Sequence, residues 1–321
     1  MSDWRIRFAE FSRASASMEN WPQVSVVIPV FNGSNFLSEA IDSALAQDYP
    51  NFEVIVINDG STDDGATERV ALAYGSAIRY FSKPNGGVAS ALNYAIHNMK
   101  GEYFSWLSHD DLYMRSKISR QVDAALRHGS GDVIVYSLAG AFLDDQNVFR
   151  QLDIPHECSN WFKYFLATNS SLHGCTLLIP RAAFQVCGRF DERLQTTQDY
   201  DMWFRLAEKY RFLCVREVLV KARQHGAQGT VTMSSVVRRE CDSLVCSFVS
   251  RMKPADMAAY KEGARTAWLE LARISYRRGL VKSARLALSK IDNVSLEAIL
   301  VRLAGEMTTA ARFALITLRL R

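Results

Sequence analysis

The sequence predicts an α/β protein: a mostly parallel central sheet with helices on both faces, followed by a small C-terminal helical region. Three observations predict it. Short apolar, β-rich runs alternate with segments of helical period over the first hundred residues; each run ends in a polar or glycine-bearing cluster; and strand signals stop near Val236, where helical spacing takes over. Strand and helix in strict alternation imply parallel pairing through right-handed crossovers.

The elements follow in order. "VSVVIP", Val24 to Pro29, is apolar, β-branched and closed by proline, which marks a buried strand rather than a helix. Ser34 or Asn35 caps the next segment, where Phe36, Leu37, Ala40, Ile41, Ala44 and Leu45 recur with the helical period until Asp-Tyr-Pro at 48–50 stops it. "FEVIVI" at 52–57 is a second buried strand, and the turn "NDGST" leads to a helix from about Asp63 to Tyr74. A strand near Ile78 to Phe81, a glycine-opened helix from Gly87 to Asn98 and a strand from Tyr103 to Leu107 complete the pattern. That last strand delivers two adjacent carboxylates, Asp110 and Asp111. Later, the strand-like "FLCVREVLVKAR" leads to His225, and "ARTAWLELARISYRRGLVKSARLALSKI" reads as an antiparallel helical pair.

A chain of 321 residues with 48% hydrophobic content can bury one large α/β domain and a smaller appendage. No stretch has the run of apolar residues that a membrane span needs, and the charged start "MSDWRIRFAEFSRASASMEN" lacks the apolar core of a signal peptide, so a cytoplasmic protein is expected. The six cysteines form no C-x-x-C pair and lie mostly in apolar runs, as buried free thiols do. Residues 1–235 carry 22 Lys+Arg against 26 Asp+Glu, whereas residues 236–321 carry 16 against 8. A basic tail on an acidic body fits an anionic membrane surface; helices that pack on the main domain or form a homodimer contact are the other reading. The resulting division is an N-terminal extension (1–22), a catalytic domain (23–235) and a basic helical region (236–321).

In an open parallel sheet, ligands bind beyond the carboxyl ends of the strands. "PVFNG", "NDGSTDD", "KPNGG" and "SHDD" follow four successive strands, so all four clusters are expected at one edge. No G-x-G-x-x-G follows the first strand, which argues against a nicotinamide-dependent oxidoreductase. Adjacent carboxylates at one strand end also differ from the pair of a glycoside hydrolase, which flanks the scissile bond from separate segments. No nucleic-acid partner is expected.

Five stretches in order, "VSVVIPVFNG", "VIVINDGSTDD", "NGGVASALN", "WLSHDD" and "GRFDERLQTTQDYDMWFRL", give the segment from Val24 to about Thr230 a resemblance to the family-2 glycosyltransferases of the GT-A fold, a Rossmann-like architecture. The chain looks most like members that transfer single sugars, often rhamnose, in bacterial surface-polysaccharide assembly. The resemblance implies a nucleoside-diphosphate sugar as donor, a glycan or lipid-linked acceptor, and a divalent cation, Mn²⁺ or Mg²⁺. It implies Asp111 as a metal ligand, Asp110 on the ribose and near the metal, and His225 touching the metal or diphosphate. A hard cation neutralises the diphosphate and polarises the leaving group, chemistry that carboxylate oxygens suit.

On the nucleotide side, the same resemblance places Pro29 and Phe31 against the base and Asp59 on its imide N–H, which favours uracil or thymine without excluding guanine. Asn85 and Gly86 belong to the loop that brings backbone N–H groups towards phosphate or sugar oxygens. On the acceptor side it implies Asp199 as the base, with Asp201 as the alternative, and His173 and Trp203 beside the acceptor. For Trp203, core packing is the favoured reading. Ser108 and Leu92 depart from the family pattern, where aspartate and arginine are common, so a sugar-nucleotide-binding protein with weakened turnover stays open as an alternative.

Overall fold

The computed structural model describes residues 21–129, 131, 133–143, 146–151, 154, 158–226, 234–257, 260, 263–291 and 301–307. Residues 1–20 and the C-terminal segment 308–321, with its short apolar and basic run, lie outside the described residues.

Strands β1 (Val24–Val30), β2 (Phe52–Asn58), β3 (Arg79–Ser82) and β4 (Tyr103–Trp106) pair in parallel in the order β3-β2-β1-β4. Between them run α1 (Leu37–Leu45), α2 (Ala66–Leu72) and α3 (Gly87–Asn98). The helix expected over Asp63–Tyr74 is shorter, because Asp64 and Gly65 both take positive φ, which a continuing helix does not allow. β1 alternates between the two cores: Val24, Val26, Ile28 and Val30 face one, Val27 the other. That alternation explains a continuous apolar run, since helices cover both faces. α1 and α4 (Lys117–His128) bury one face, and α3 packs on the opposite one.

The second half of the sheet is mixed. β8 (Leu177–Pro180) runs antiparallel to β4 and to β6 (Val133–Leu143); β6 pairs in parallel with β9 (Arg211–Arg223); β9 pairs antiparallel with β5 (Leu112–Tyr113); and β7 (Gln146–Gln151) flanks β6. Three helices, α5 (Phe162–Thr168), α6 (Arg181–Cys187) and α7 (Gln198–Ala207), join the α3 side.

The C-terminal helices α8 (Ser234–Arg251), α9 (Ala264–Arg278) and α10 (Val281–Leu288) are part of that same core. Phe248 of α8 stacks on Phe204 of α7 with ring centroids 4.0 Å apart, and Tyr164 of α5 donates to the carbonyl of Ala267 in α9. Residues 301–307 are helical. The described C-terminal helices thus pack on the main domain. No helix among the described residues is long and apolar enough to cross a membrane.

Candidate active site

The four polar clusters meet at the carboxyl edge of β1 to β4. Pro29, which has no N–H to donate, lies just past the last β1–β4 pair, Val27 with Trp106. Beyond that point the two strands lead to different loops. The β1 loop is pinned to the β2 loop by Asn32: its N–H donates to Ser61 Oγ, and its side-chain oxygen accepts from the Thr62 N–H at 2.7 Å. Phe31, beside this clamp, is 44% exposed, unusual for a large apolar ring and available to stack on a flat ligand. Gly33 fits tightly against the β4 loop, for a Cβ there would lie 2.3 Å from His109 Cδ2.

Asp59 is buried and already engaged. Its carboxylate pairs with Lys83 at 2.5 Å and accepts the N–H groups of Gly86 and Gly87. The glycine amides expected to face phosphate or sugar oxygens thus bind Asp59 in this structure. The Gly86 N–H is shared between the two oxygens at 3.1 and 3.3 Å, the weakest contact of the set and the one a further donor could displace. Gly60, at φ +70°, lets the β2 turn press against Asn85, whose backbone nitrogen would lie 2.6 Å from an added Cβ. Asn85 and Gly86 are exposed at the mouth of this loop.

Asp110 and Asp111 sit in the short turn between β4 and β5. Asp111 is buried, and burial raises its carboxyl above the usual range while His173 opposes the shift. One oxygen accepts the Arg223 N–H at 3.0 Å; the other faces Cys175 Sγ at 3.3 Å and His173 Nε2 at 3.6 Å. Asp110 is half-buried and meets His225 Nε2 at 2.9 Å. The Arg223 side chain crosses the turn, donating through Nε to the Asp110 carbonyl and through Nη2 to Glu39 of α1 at 2.7 Å, with its guanidinium over the Phe36 ring. From below, a chain of donors braces the turn: Lys117 Nζ to Ser105 Oγ, Ser105 to Tyr113 OH, and Tyr113 OH to the Trp106 carbonyl at 2.6 Å. Burial without a carboxylate partner pushes the Lys117 ammonium down to about 7.

Asp199 opens α7. It is half-buried, and burial pushes its carboxyl up to about 6, opposed by the Tyr200 N–H that it accepts at 2.8 Å and by nearby His173. The loop before it is held from the C-terminal region: Glu240 of α8 accepts the N–H groups of Gln195 and Thr196 at 2.9 Å and the hydroxyls of Thr196 and Thr197. Asp201 is tied to Arg205 at 2.7 Å, which occupies it as a structural partner. Trp203 corrects the acceptor-side expectation, for it is fully buried against Phe190 in the core and has no surface to offer a ligand.

His173 therefore lies near both Asp111 and Asp199. Sequence reasoning passed over Arg223, Lys83, Cys175 and Glu240. Two had a signal: Arg223 ends a strand two residues before His225, and Lys83 directly precedes the Pro-Asn-Gly-Gly run.

A mixed sheet of this order with carboxylates gathered at its strand ends defines a glycosyltransferase of the GT-A fold. The chain belongs to glycosyl transferase family 2, whose profile it matches over residues 25–185. It is 44% identical over 276 residues to an uncharacterised glycosyltransferase of Rickettsia typhi, a match that covers 84% of this chain and 85% of that protein. It is also 30% identical over 223 residues to a hyaluronan synthase of Pasteurella multocida, covering 68% of this chain and 22% of that one. Its fold resembles S. aureus TarS in complex with UDP-GlcNAc (TM-score 0.56, 16% identity, 91% of each chain). The mannosyltransferase PcManGT of Pyrobaculum calidifontis, solved with GDP-Man and Mn²⁺, is similar at TM-score 0.53 and 18% identity over 97% of this chain and 88% of that one.

Proposed function

We propose that this glycosyltransferase moves a single sugar from a UDP- or dTDP-linked donor to a hydroxyl of a glycan or lipid-linked acceptor, with inversion and with Mn²⁺ or Mg²⁺, in polysaccharide or lipopolysaccharide assembly at the cytoplasmic side of the membrane. The observation that carries this reading is the Asp110–Asp111 turn facing Asp199 across His173. Such a pair of carboxylates beside a raised carboxyl separates a charge-binding half from a proton-accepting half.

The residues fit a divalent cation. Asp111 is buried with one oxygen facing a thiol and an imidazole, so its charge lacks a strong cationic partner, and the adjacent Asp110 meets His225 Nε2 at 2.9 Å. Asp110, Asp111 and His225 would hold the ion; when bound, it neutralises diphosphate charge and acts as a Lewis acid on the departing oxygen. Phe31 stacks on the base, and Asp59 accepts the base N–H in place of its long, shared contact with the Gly86 N–H. Asp199 takes the proton of the acceptor hydroxyl, and a carboxyl near 6 is ionised at neutral pH yet basic enough to do so.

The experiment is a thermal-shift screen of UDP, dTDP and GDP with Mn²⁺, followed by hydrolysis of the matching sugar nucleotides with and without EDTA. Stabilisation by a uridine or thymidine nucleotide and turnover lost in EDTA are expected. Undiminished turnover in excess EDTA overturns the metal role, and binding without any turnover favours the weakened, binding-only alternative.

A further inference from the structure

Asp111, His173 and Cys175 each present one ligand atom, and all three atoms lie within 4.8 Å of one another. Asp111 Oδ2 is the common neighbour, 3.3 Å from Cys175 Sγ and 3.6 Å from His173 Nε2. Separations of this size are those between ligand atoms that share one small cation, given bond lengths of ~2.0–2.3 Å. The three side chains come from two short stretches fixed by the fold. His173 caps and Cys175 lies within the single turn before β8, and Asp111 sits in the turn that follows the neighbouring β4.

We infer that Asp111, His173 and Cys175 form a mixed oxygen, nitrogen and sulfur site for a thiophilic divalent cation of the Zn²⁺ or Co²⁺ class. The oxygen-rich set read for Mn²⁺ or Mg²⁺ runs from Asp110 and Asp111 towards His225. The second set shares Asp111 with it and adds the imidazole of His173 and the thiol of Cys175. A thiolate and an imidazole select Zn²⁺ over Mg²⁺ or Mn²⁺, and three protein ligands leave a fourth position open.

The surroundings suit a bound sulfur. The Ser108 N–H points at Cys175 Sγ at 3.1 Å, a bond that gains strength when the sulfur carries charge, and Cys175 is completely shielded from solvent. His173 keeps a partly exposed side chain, so the ion has an entry path past it. Binding requires a lone pair on Nε2. The ring proton then moves to Nδ1, which gives up the long 3.4 Å contact that it now accepts from the Cys175 N–H. The thiol proton leaves to solvent. Because Asp111 belongs to both sets, zinc competes with manganese and lowers transfer when both are present.

The inference rests on these three side chains and holds whether or not transfer needs manganese, so the test reads the metal directly. The full chain is titrated with Co²⁺ and followed by absorption. A near-ultraviolet thiolate-to-cobalt charge-transfer band together with intense visible bands of four-coordinate cobalt is expected. Cys175→Ser removes the charge-transfer band, and His173→Asn weakens Zn²⁺ affinity by at least ~10-fold. Cadmium NMR on the unmodified chain gives an independent reading, with a shift in the range of one sulfur ligand. Absence of the charge-transfer band and an all-oxygen cadmium shift overturn the inference, as does a band that survives in a folded Cys175→Ser variant. Manganese binding measured on the same samples tests the other set separately.

Discussion

His173 stands near two carboxylates: its Nε2 lies 3.6 Å from Asp111 Oδ2, and it is an electrostatic neighbour of Asp199 at the start of α7. Asp111 and Asp199 are 88 positions apart in the chain, so only the closing of the sheet and the placing of α7 over the β4 edge bring them to one imidazole. Burial raises both carboxyls.

Turnover should fall on acidification with a midpoint near 6, as Asp199 takes up its proton. Asp199→Asn should lower kcat by ~10²–10⁴-fold and remove that acidic limb, with the nucleotide-induced thermal shift retained. The stability effect runs the other way. The folded-state value lies above the ordinary one, so the carboxyl favours the folded state most at low pH, and that advantage is lost as pH rises from about 4 to about 6. At neutral pH the Asn variant should therefore be more stable by of order 1 kcal/mol, once screening of the half-buried group is allowed for. Turnover and Tm measured across pH 5–8 for both forms check the pair of effects.

Replacing Arg223 with Met should loosen the β4–β5 turn. It removes a donor from the Asp110 carbonyl and leaves Glu39 unpaired. Glu39 is half exposed and water can solvate it, so the cost should be ~1–3 kcal/mol rather than that of a fully buried pair. Donor KM should rise more than acceptor KM. Chemical denaturation and two-substrate kinetics check it, and Arg223→Lys should recover only part of the loss because one ammonium cannot reach both oxygens in the guanidinium geometry.

A methyl group at Gly33 has no room. It would lie 2.3 Å from His109 Cδ2 and 2.7 Å from Val30 Cγ2, so Gly33→Ala must push His109 and with it the turn that carries Asp110. Overpacking of this kind costs ~1–3 kcal/mol. Lower Tm and weaker nucleotide binding should appear together in a thermal-shift titration.

Glu240 links the C-terminal helices to the loop that precedes Asp199. Its carboxylate takes two N–H groups and two hydroxyls from residues 195–197, directly before α7. Glu240→Ala leaves those donors without their acceptor and should cost ~1–3 kcal/mol. The expected kinetic signature is a lower kcat and higher acceptor KM, with donor binding unchanged, because the loop feeds Asp199 and not the nucleotide pocket. Equal losses on both substrates would show general unfolding instead.

The local sequence settled the order and kind of the first elements. Short apolar, β-rich runs closed by turn residues set β1, β2 and β4; glycine opened α3 at Gly87; and the polar clusters after each strand were committed to one edge by parallel topology alone. Proximity in sequence also made Asp110 and Asp111 visible as a unit. The same reasoning failed for contacts between distant segments. Arg223 reaches Asp111 across 112 positions, Cys175 across 64, and Glu240 meets Thr196 across 44. Trp203 shows the limit from the other side: its helical stripe was legible, but only packing against Phe190 decided that the whole ring is core. Periodicity and turn chemistry are properties of neighbouring residues and survive in the unfolded chain. The partner of a buried charge is chosen by desolvation, which exists only once the sheet has closed and water has left.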